Sequence, residues 1–286
     1  METETDKIIK IGKSEIHMGP QSKRVFLLRY FKQDHHRLLL DLEKLARNAG
    51  YDKVIAKIPG YACDDFQAAG FRQEARILDY YPDGESCYFV SRFLSDARQH
   101  NPGDSRHRGI IQTASARPKR PLSELPQQYR LSILRPDDCE QMAEVYKQVF
   151  KSYPFPIFDP AYLEETMQSH VVYFGVFKSD MLVALSSAET DCEYKNAEMT
   201  DFAILPDHRG LHLARRLLAA MEKEMAGRDI RTLYTIARAE SLPMNCTFGS
   251  EGYTYGGTLV NNTQISGQIE SMNIWAKRIV LSDGTT

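Results

Sequence analysis

Residues 197–225 constrain the fold of this chain more than any other feature. Residues 197–205 are mostly apolar and predict a β-strand, and a basic turn containing Arg209 and Gly210 follows. Residues 211–225 then place apolar side chains at helical spacing, which predicts an amphipathic helix. A strand that passes through a glycine turn into a helix aims unpaired N–H groups and the positive end of the helix dipole at one point. We therefore expect an α/β protein with an anion site at this glycine turn (residues 206–210), suited to a pyrophosphate.

The composition narrows the class of partner. The formal net charge of −2 does not favour nucleic acid, whose binding usually needs a concentrated basic face. The five cysteines show no CxxC spacing, which is typical of a reducing compartment. The chain starts with an acidic stretch, and no window approaches the roughly 20 apolar residues of a membrane span. We expect a soluble cytoplasmic protein that binds a small molecule, with no nucleic acid and no membrane as partner.

The chain is long enough for about two domains. Residues 100–128 are rich in proline and glycine and poor in apolar periodicity, which indicates a linker between a domain at 1–99 and a domain at 129–280. In the second domain the predicted order of elements is β-α-α-β-β-β-α-β-α-β-β. This order indicates a mixed sheet with helices on both faces.

The first domain echoes part of the second. A Phe-x-x-x-Gly-aromatic pattern occurs at residues 66–71 and again at residues 248–253, each time before two strand-like runs. A partial repeat would explain this, and chance recurrence in an α/β protein would explain it as well. The first copy has no counterpart of the glycine turn, so we expect its role to be structural.

The glycine turn resembles motif A of the GNAT acetyltransferases, whose pattern is Arg/Gln-x-x-Gly-x-Gly/Ala. Arg209 takes the first place and Ala214 the last, while His212 replaces the middle glycine and Gly210 directly follows the arginine. The resemblance implies a GNAT fold in the C-terminal domain, preceded by a smaller partial GNAT-like domain, with acetyl-CoA as co-substrate and no metal. The residues it implies for binding coenzyme A through backbone amides, strand end and side chains are Phe202, Ala203, Ile204, Arg209, Gly210, Leu211, His212, Leu213, Ala214, Arg215 and Asn245.

Two further stretches, residues 232–245 and 252–275, resemble the β-lysine N-acetyltransferases within this superfamily. This resemblance implies acetylation of the epsilon amine of β-lysine, the product of lysine 2,3-aminomutase. The product, N-epsilon-acetyl-β-lysine, is a compatible solute, which implies a role in osmoadaptation. A homodimer is kept as a candidate assembly.

Acetylation requires a neutral amine, but a lysine-type ammonium with a pKa of about 10.4 is almost entirely charged near neutral pH. A carboxylate beside the site can accept the proton. Glu198 and Asp201 lie on the strand before the glycine turn, three residues apart, so they face opposite sides unless a bulge intervenes. We favour Asp201 as the base because it is nearer the acetyl end. A solvated acid, an ion pair, or an acid that only binds the ammonium remains an alternative for each.

The leaving thiolate has no evident proton donor. Phe248 stands where the family often has a tyrosine, and Tyr253 and Tyr255 are substitutes only by proximity. Cys246 lacks a partner histidine in the sequence, so we expect direct transfer without an acetyl-enzyme.

Other polar residues have two interpretations each. His208 and His212 could share a helix face, but no third metal ligand is indicated, so we expect no metal. Asn261, Asn262 and Asn273 could contact a substrate, or could serve turns and strands.

Competing functions remain open. They are acetylation of another amino acid or polyamine, acetylation of protein lysine, and acyl-CoA sensing by a degenerate, non-catalytic module. The last would be favoured by Phe248 and His212.

Overall fold

The computed structural model describes residues 6–279, in which eight α-helices surround a single mixed sheet of thirteen strands. The strands are β1 (Lys7–Ile11), β2 (Ser14–Gly19), β3 (Arg24–Arg29), β4 (Lys53–Pro59), β5 (Arg72–Ile77), β6 (Cys87–Phe93), β7 (Tyr129–Ile133), β8 (Val171–Lys178), β9 (Met181–Asp191), β10 (Asn196–Ile204), β11 (Thr232–Arg238), β12 (Thr254–Ile265) and β13 (Gln268–Arg278). The helices are α1 (His35–Asn48), α2 (Cys63–Ala68), α3 (Asp96–Gln99), α4 (Asp104–Ser115), α5 (Cys139–Val149), α6 (Pro160–Ser169), α7 (Leu213–Gly227) and α8 (Leu242–Ser250).

The sheet joins two halves edge to edge. Its order is β1-β2-β3-β4-β6-β5-β12-β13-β11-β10-β9-β8-β7, so the N-terminal half (β1–β6) and the C-terminal half (β7–β13) meet where β5 pairs with β12. Gly257 permits this junction, because its φ is +140° and a Cβ atom there would lie 2.5 Å from the Cα atom of Ala75. A residue with a side chain would force the two strands apart.

The two halves repeat one topology. β3 and β4 are parallel and are followed by β6 and β5, just as β10 and β11 are parallel and are followed by β13 and β12. Helix α1 links the first parallel pair and α7 links the second. The topology agrees with the partial repeat indicated by the two Phe-x-x-x-Gly-aromatic patterns. The mixed α/β fold class is confirmed, whereas the division at 1–99, 100–128 and 129–280 stays a prediction.

Helices cover both faces of the C-terminal half. On one face, Leu217 and Met221 of α7 pack with Met199 of β10 in a buried apolar cluster. On the other face, Met142 of α5 packs with Leu185 of β9. The alternation of side chains along each strand separates these two layers. The polar side chains described below lie on the face covered by α5 and α6.

A separate apolar cluster joins the halves across one face of the sheet. Phe26 and Ile55 of the N-terminal half pack there with Tyr234, Met272 and Ile274 of the C-terminal half. The sheet therefore curves enough to bring β3 and β4 close to β11. Through this cluster the N-terminal half contacts β11, the strand that pairs with β10 before the glycine turn.

The segment expected to be a linker contains a helix. Helix α4 packs against α8 so closely that a Cβ atom on Gly249 would lie 2.2 Å from the carbonyl oxygen of Ala114. Its buried side chains are few and include a histidine, His107, which explains why no apolar period marked it in the sequence. Among the described residues, no helix combines the length and apolar character needed to cross a membrane.

Candidate active site

The ends of β10 and β11 separate to form a cleft. The two parallel strands pair from Asn196 to Glu198 of β10, although β10 continues to Ile204 and β11 to Arg238. A cavity of about 260 Å³ lies between the unpaired ends and is lined by side chains from both strands. Backbone groups on this side of β10 are therefore free to hydrogen-bond an extended ligand. The predicted contacts of residues 202–204 with the coenzyme A arm lie along this edge.

A β-bulge places Asp201 on the same face as Glu198. The register of β10 against β9 shifts after Thr200, and Asp201 has a left-handed backbone with φ of +54°. Its Oδ2 atom accepts a hydrogen bond of 2.7 Å from Ser187 Oγ, and its Oδ1 atom accepts one from the Tyr153 hydroxyl. The two predicted acids could face one cleft only if a bulge interrupted the strand, and the structure contains this bulge.

A third carboxylate joins the predicted pair. Glu189 of β9 lies directly opposite Glu198 of β10, and it shares a face with Ser187, which bonds Asp201. We call Glu189, Glu198 and Asp201 the acid cluster. Like charges directly opposite each other destabilise a sheet. The cluster therefore costs stability unless protonation or a nearby cation such as Lys57 offsets its charge.

Burial governs the electrostatics of the acid cluster. It raises the pKa of Glu198 to about 7, although the nearby Lys57 ammonium opposes the rise. It also raises the pKa of Glu189, and the charges of Glu198 and Asp201 add to that rise. Burial raises the pKa of Asp201 too, but hydrogen bonds from neighbouring hydroxyls counteract it. Asp201 thus has the donors that best stabilise a charged carboxylate, as a general base requires.

Aromatic side chains surround the acid cluster. Tyr234 lies directly opposite Glu198 on β11. Tyr146 of α5 is fully buried, and its hydroxyl has no hydrogen-bond partner among residues 6–279. Aromatic faces and carboxylates together attract alkylammonium groups. The tyrosines whose pKa is raised by burial and by a carboxylate of the cluster include Tyr146, Tyr153, Tyr162, Tyr173 and Tyr234.

The glycine turn leads into the N-terminus of α7. The helix begins at Leu213, two residues later than predicted, and His212 takes the N-cap position with φ of +55° and no side-chain cap. The motif thus needs a left-handed residue at position 212, which explains why glycine is usual there. The first amides of α7 stay uncapped and can bind an anion.

A cavity of about 310 Å³ adjoins this helix end and is bordered by His212, Ala214, Arg215 and Arg117, the last lying just beyond α4. Arg215 donates a 2.7 Å hydrogen bond to Glu251, so part of its charge is already neutralised. Leu213 is buried in the core and can offer only its amide. Arg209 is exposed and lines the 260 Å³ cleft. The predicted anion residues are therefore divided between the two cavities.

Asn245 is held by structural bonds. Its Nδ2 atom donates to the carbonyl oxygens of Arg238 and Ser241, and its Oδ1 atom accepts from Asn273 and Trp275. These four bonds use the full capacity of the amide and fix the connection from β11 to α8. A contact from Asn245 to coenzyme A stays a prediction.

The remaining candidates occupy defined places. His208 is buried and its Nδ1 atom lies 2.9 Å from the Tyr129 hydroxyl. Within residues 6–279, no group of three or more His, Cys, Asp or Glu side chains is arranged to hold a metal. Asn261 donates to two carbonyl oxygens, at 2.8 and 2.7 Å, while Asn262 has a buried Oδ1 atom without a partner in the same part of the chain.

The cleft offers no hydroxyl at the position of Phe248. This side chain is fully buried and packs edge-on against Phe202 and Tyr253, with ring centroids 5.7 and 5.1 Å apart. The Tyr255 hydroxyl lies 2.6 Å from Thr258 Oγ1, and Cys246 is buried beside the 310 Å³ cavity.

Comparison with known proteins identifies the family. A family model described as Acetyltransferase (GNAT) family matches residues 139–244, which contain the acid cluster and the glycine turn. A beta-lysine N(6)-acetyltransferase of Methanococcus maripaludis is 36% identical over 272 residues, covering 95% of this chain and 98% of that relative. The chain belongs to the GNAT acetyltransferase family.

Two more relatives of this GNAT protein match over most of their length. N-acetyltransferase YodP of Bacillus subtilis is 34% identical, covering 90% of this chain and 93% of its own. A beta-lysine N(6)-acetyltransferase of Methanosarcina mazei is 32% identical, covering 83% and 95%. The family resemblance indicated by the glycine turn and by residues 232–245 and 252–275 is confirmed.

Sequence reasoning missed several residues of this GNAT site. Glu189 belongs to none of the sequence motifs, although its alternation with Ser187 along β9 would have placed both on one face. Tyr153 lies in an irregular segment and gave no periodic signal. Arg117 was in the expected linker.

Proposed function

We propose that this protein transfers the acetyl group of acetyl-CoA to the epsilon amine of β-lysine. The observation that carries the proposal is the acid cluster, which lies on one sheet face beside the open end of the β10–β11 cleft. The names of two close relatives support β-lysine as the amine.

The cleft and the adjoining helix end fit acetyl-CoA. The free edge of β10 at Phe202, Ala203 and Ile204 can hydrogen-bond the pantetheine arm. The uncapped amides of α7, together with Gly210 and Leu211, can bind the pyrophosphate. Arg117 adds positive charge at the same place. In this arrangement acetyl-CoA supplies the thioester, and the protein orients it toward Asp201.

The acid cluster can serve both amines of the substrate. Asp201 accepts the proton of the attacking amine, because its hydrogen bonds from Ser187 and Tyr153 hold the carboxylate in place. Glu198 and Glu189 lie farther from the glycine turn and bind the second ammonium. Coenzyme A leaves as the thiolate, because Phe248 has no proton to give, and the thiolate then takes a proton from solvent.

The broader assignments are also proposals. Residues 129–280 form the catalytic domain, residues 1–99 a partial GNAT-like domain, and residues 100–128 the connection. The product acts as a compatible solute in the cytoplasm, in osmoadaptation. A homodimer is retained as the candidate assembly.

Thiol release from acetyl-CoA with a panel of amines tests the function. We expect turnover with β-lysine to exceed turnover with α-lysine, spermidine and a lysine-containing peptide. If another amine of the panel were preferred, that amine would replace β-lysine as the proposed substrate. The alternative of an acyl-CoA sensor, which Phe248 and His212 favour, predicts binding of acetyl-CoA in calorimetry without turnover of any amine.

A further inference from the structure

The N-terminal half presents a basic face to the acid cluster. β3 and β4 are parallel, with Arg24 opposite Lys53 and Phe26 opposite Ile55. Alternation along β4 then places Lys57 on the same face as Ile55. Phe26 and Ile55 belong to the apolar cluster that joins the two halves, so this face points toward β11.

Two cations of this face act on Glu198, and Lys57 acts on it more strongly than Arg24 does. Its Nζ atom lies 5.6 Å from the ring centroid of Tyr80 and 6.0 Å from that of Tyr234. Tyr234 is the residue directly opposite Glu198 in the β10–β11 ladder. Lys57 therefore lies at the end of the acid cluster that is remote from Asp201 and the glycine turn.

The other two cations of the face are already bonded, Lys53 in an ion pair with a carboxylate and Arg24 to neutral oxygen atoms. Lys53 Nζ lies 2.7 Å from both Glu74 Oε2 and the carbonyl oxygen of Val260. Arg24 donates through Nη1 to Asn262 and Thr263, at 2.8 and 2.9 Å.

Lys57 has no such ion pair. Among residues 6–279, no carboxylate oxygen lies within 4.0 Å of its Nζ atom. Burial works to lower the pKa of Lys57, but Tyr80, Cys87 and Glu198 outweigh it and raise the pKa. Its ammonium is thus charged, and its hydrogen-bond partner within this part of the chain is Tyr80 rather than a carboxylate.

We propose that Lys57 binds the carboxylate of the substrate and so makes the enzyme select diamino acids over polyamines. This inference rests on the proposed function. In β-lysine the carboxylate is two carbon atoms from one amine, and the other amine is at the far end. Along this face of the sheet Lys57 lies near Tyr234, Glu198 lies opposite Tyr234, and Asp201 follows at the 260 Å³ cleft. This order matches the order carboxylate, inner ammonium and acceptor amine. A polyamine would instead bring a third positive group against Lys57, which like charge disfavours.

Paired substrates test this role. The first substrate is β-lysine, and the second is 1,4-diaminopentane, which is β-lysine without its carboxylate. For Lys57→Met we expect kcat/KM with β-lysine to fall about 10- to 100-fold, mostly through KM, with little change for the diamine. Lys57→Arg should restore most of the preference for β-lysine. Lys44→Met, at an exposed lysine of α1, is the matched control and should leave the preference unchanged.

The ratio of the two kcat/KM values is measured on one preparation of each variant, so partial loss of folded protein cancels. An equal loss on both substrates in Lys57→Met would overturn the inference, because Lys57 would then act on Glu198 or on the fold. A wild-type enzyme that acetylates neither compound would overturn the proposed function itself, and that result is distinct from an equal loss in the variant.

Discussion

Replacing Asp201 by asparagine should remove the proton acceptor and keep the shape of the site. Asparagine tolerates the left-handed backbone that the bulge requires, with φ of +54° at this position. The amide can still accept one of the two hydrogen bonds from Ser187 and Tyr153. We therefore expect a folded protein whose stability is reduced by about 1 kcal/mol, since one bond must rearrange.

The catalytic loss should be much larger than the loss of stability. General base catalysis contributes about 10²- to 10⁴-fold, so kcat should fall by a factor in that range near neutral pH. The acceptor amine itself ionises with a pKa of about 10.4. As the pH rises toward about 10, more of the amine is neutral without help, and the deficit of Asp201→Asn should narrow.

Thiol release measured across this pH range at saturating acetyl-CoA gives kcat and KM separately. Asp180→Asn, in the exposed turn between β8 and β9, is the control for loss of a carboxylate and should behave as wild type. If Asp201→Asn left kcat unchanged and raised KM, Asp201 would not be the general base, and its role would be to bind the ammonium. A deficit that is constant at every pH would contradict proton transfer as its cause.

Three further predictions concern neighbouring residues. Burial raises the pKa of Glu198 from 4.5 to about 7, so the folded protein loses stability as the pH rises through that window. In thermal unfolding, Glu198→Gln should be more stable than wild type by on the order of 1 kcal/mol at about pH 8 and little different at about pH 4.5. The expected difference is reduced because the side chain is partly exposed. His212→Gly should stabilise the protein by roughly 0.5–1 kcal/mol in urea unfolding, and a loss would argue against a left-handed residue there. Arg117→Ala should weaken coenzyme A binding about two- to fivefold in calorimetry, whereas Arg130→Ala, also exposed, should not.

The C-terminal elements could be predicted because their apolar periods follow the packing. Leu217 and Met221 repeat at helical spacing and are both buried against β10 in the structure. Helix α4 gave no such signal, because its buried stripe contains His107 and its partner is the glycine face of α8. Its position depends on contacts distant in the sequence.

The geometry of the acid cluster lay beyond sequence reasoning for a local reason. Glu198 and Asp201 could be chosen by their place before the glycine turn, but a regular strand would separate them. The bulge after Thr200 brings them together, and aspartate is among the few residues that tolerate its backbone. Glu189 lies beside them because the register of β9 against β10 places it opposite Glu198.

The role of the N-terminal half depends on the curvature of the whole sheet. Its strands were expected to be structural, because they contain no counterpart of the glycine turn. The sequence gives no means of placing Lys57 of β4 near Tyr234 of β11, since four strands separate them in the sheet. Twist and coiling of the sheet bring these distant parts of one face together.

The most direct measurement is the NMR spectrum of the product formed from β-lysine and acetyl-CoA labelled with carbon-13 in the acetyl group. We expect one labelled amide at the epsilon nitrogen, formed by the wild type and strongly reduced with Asp201→Asn at neutral pH. A label on the inner amine, on the protein alone, or in free acetate without any amide would contradict it.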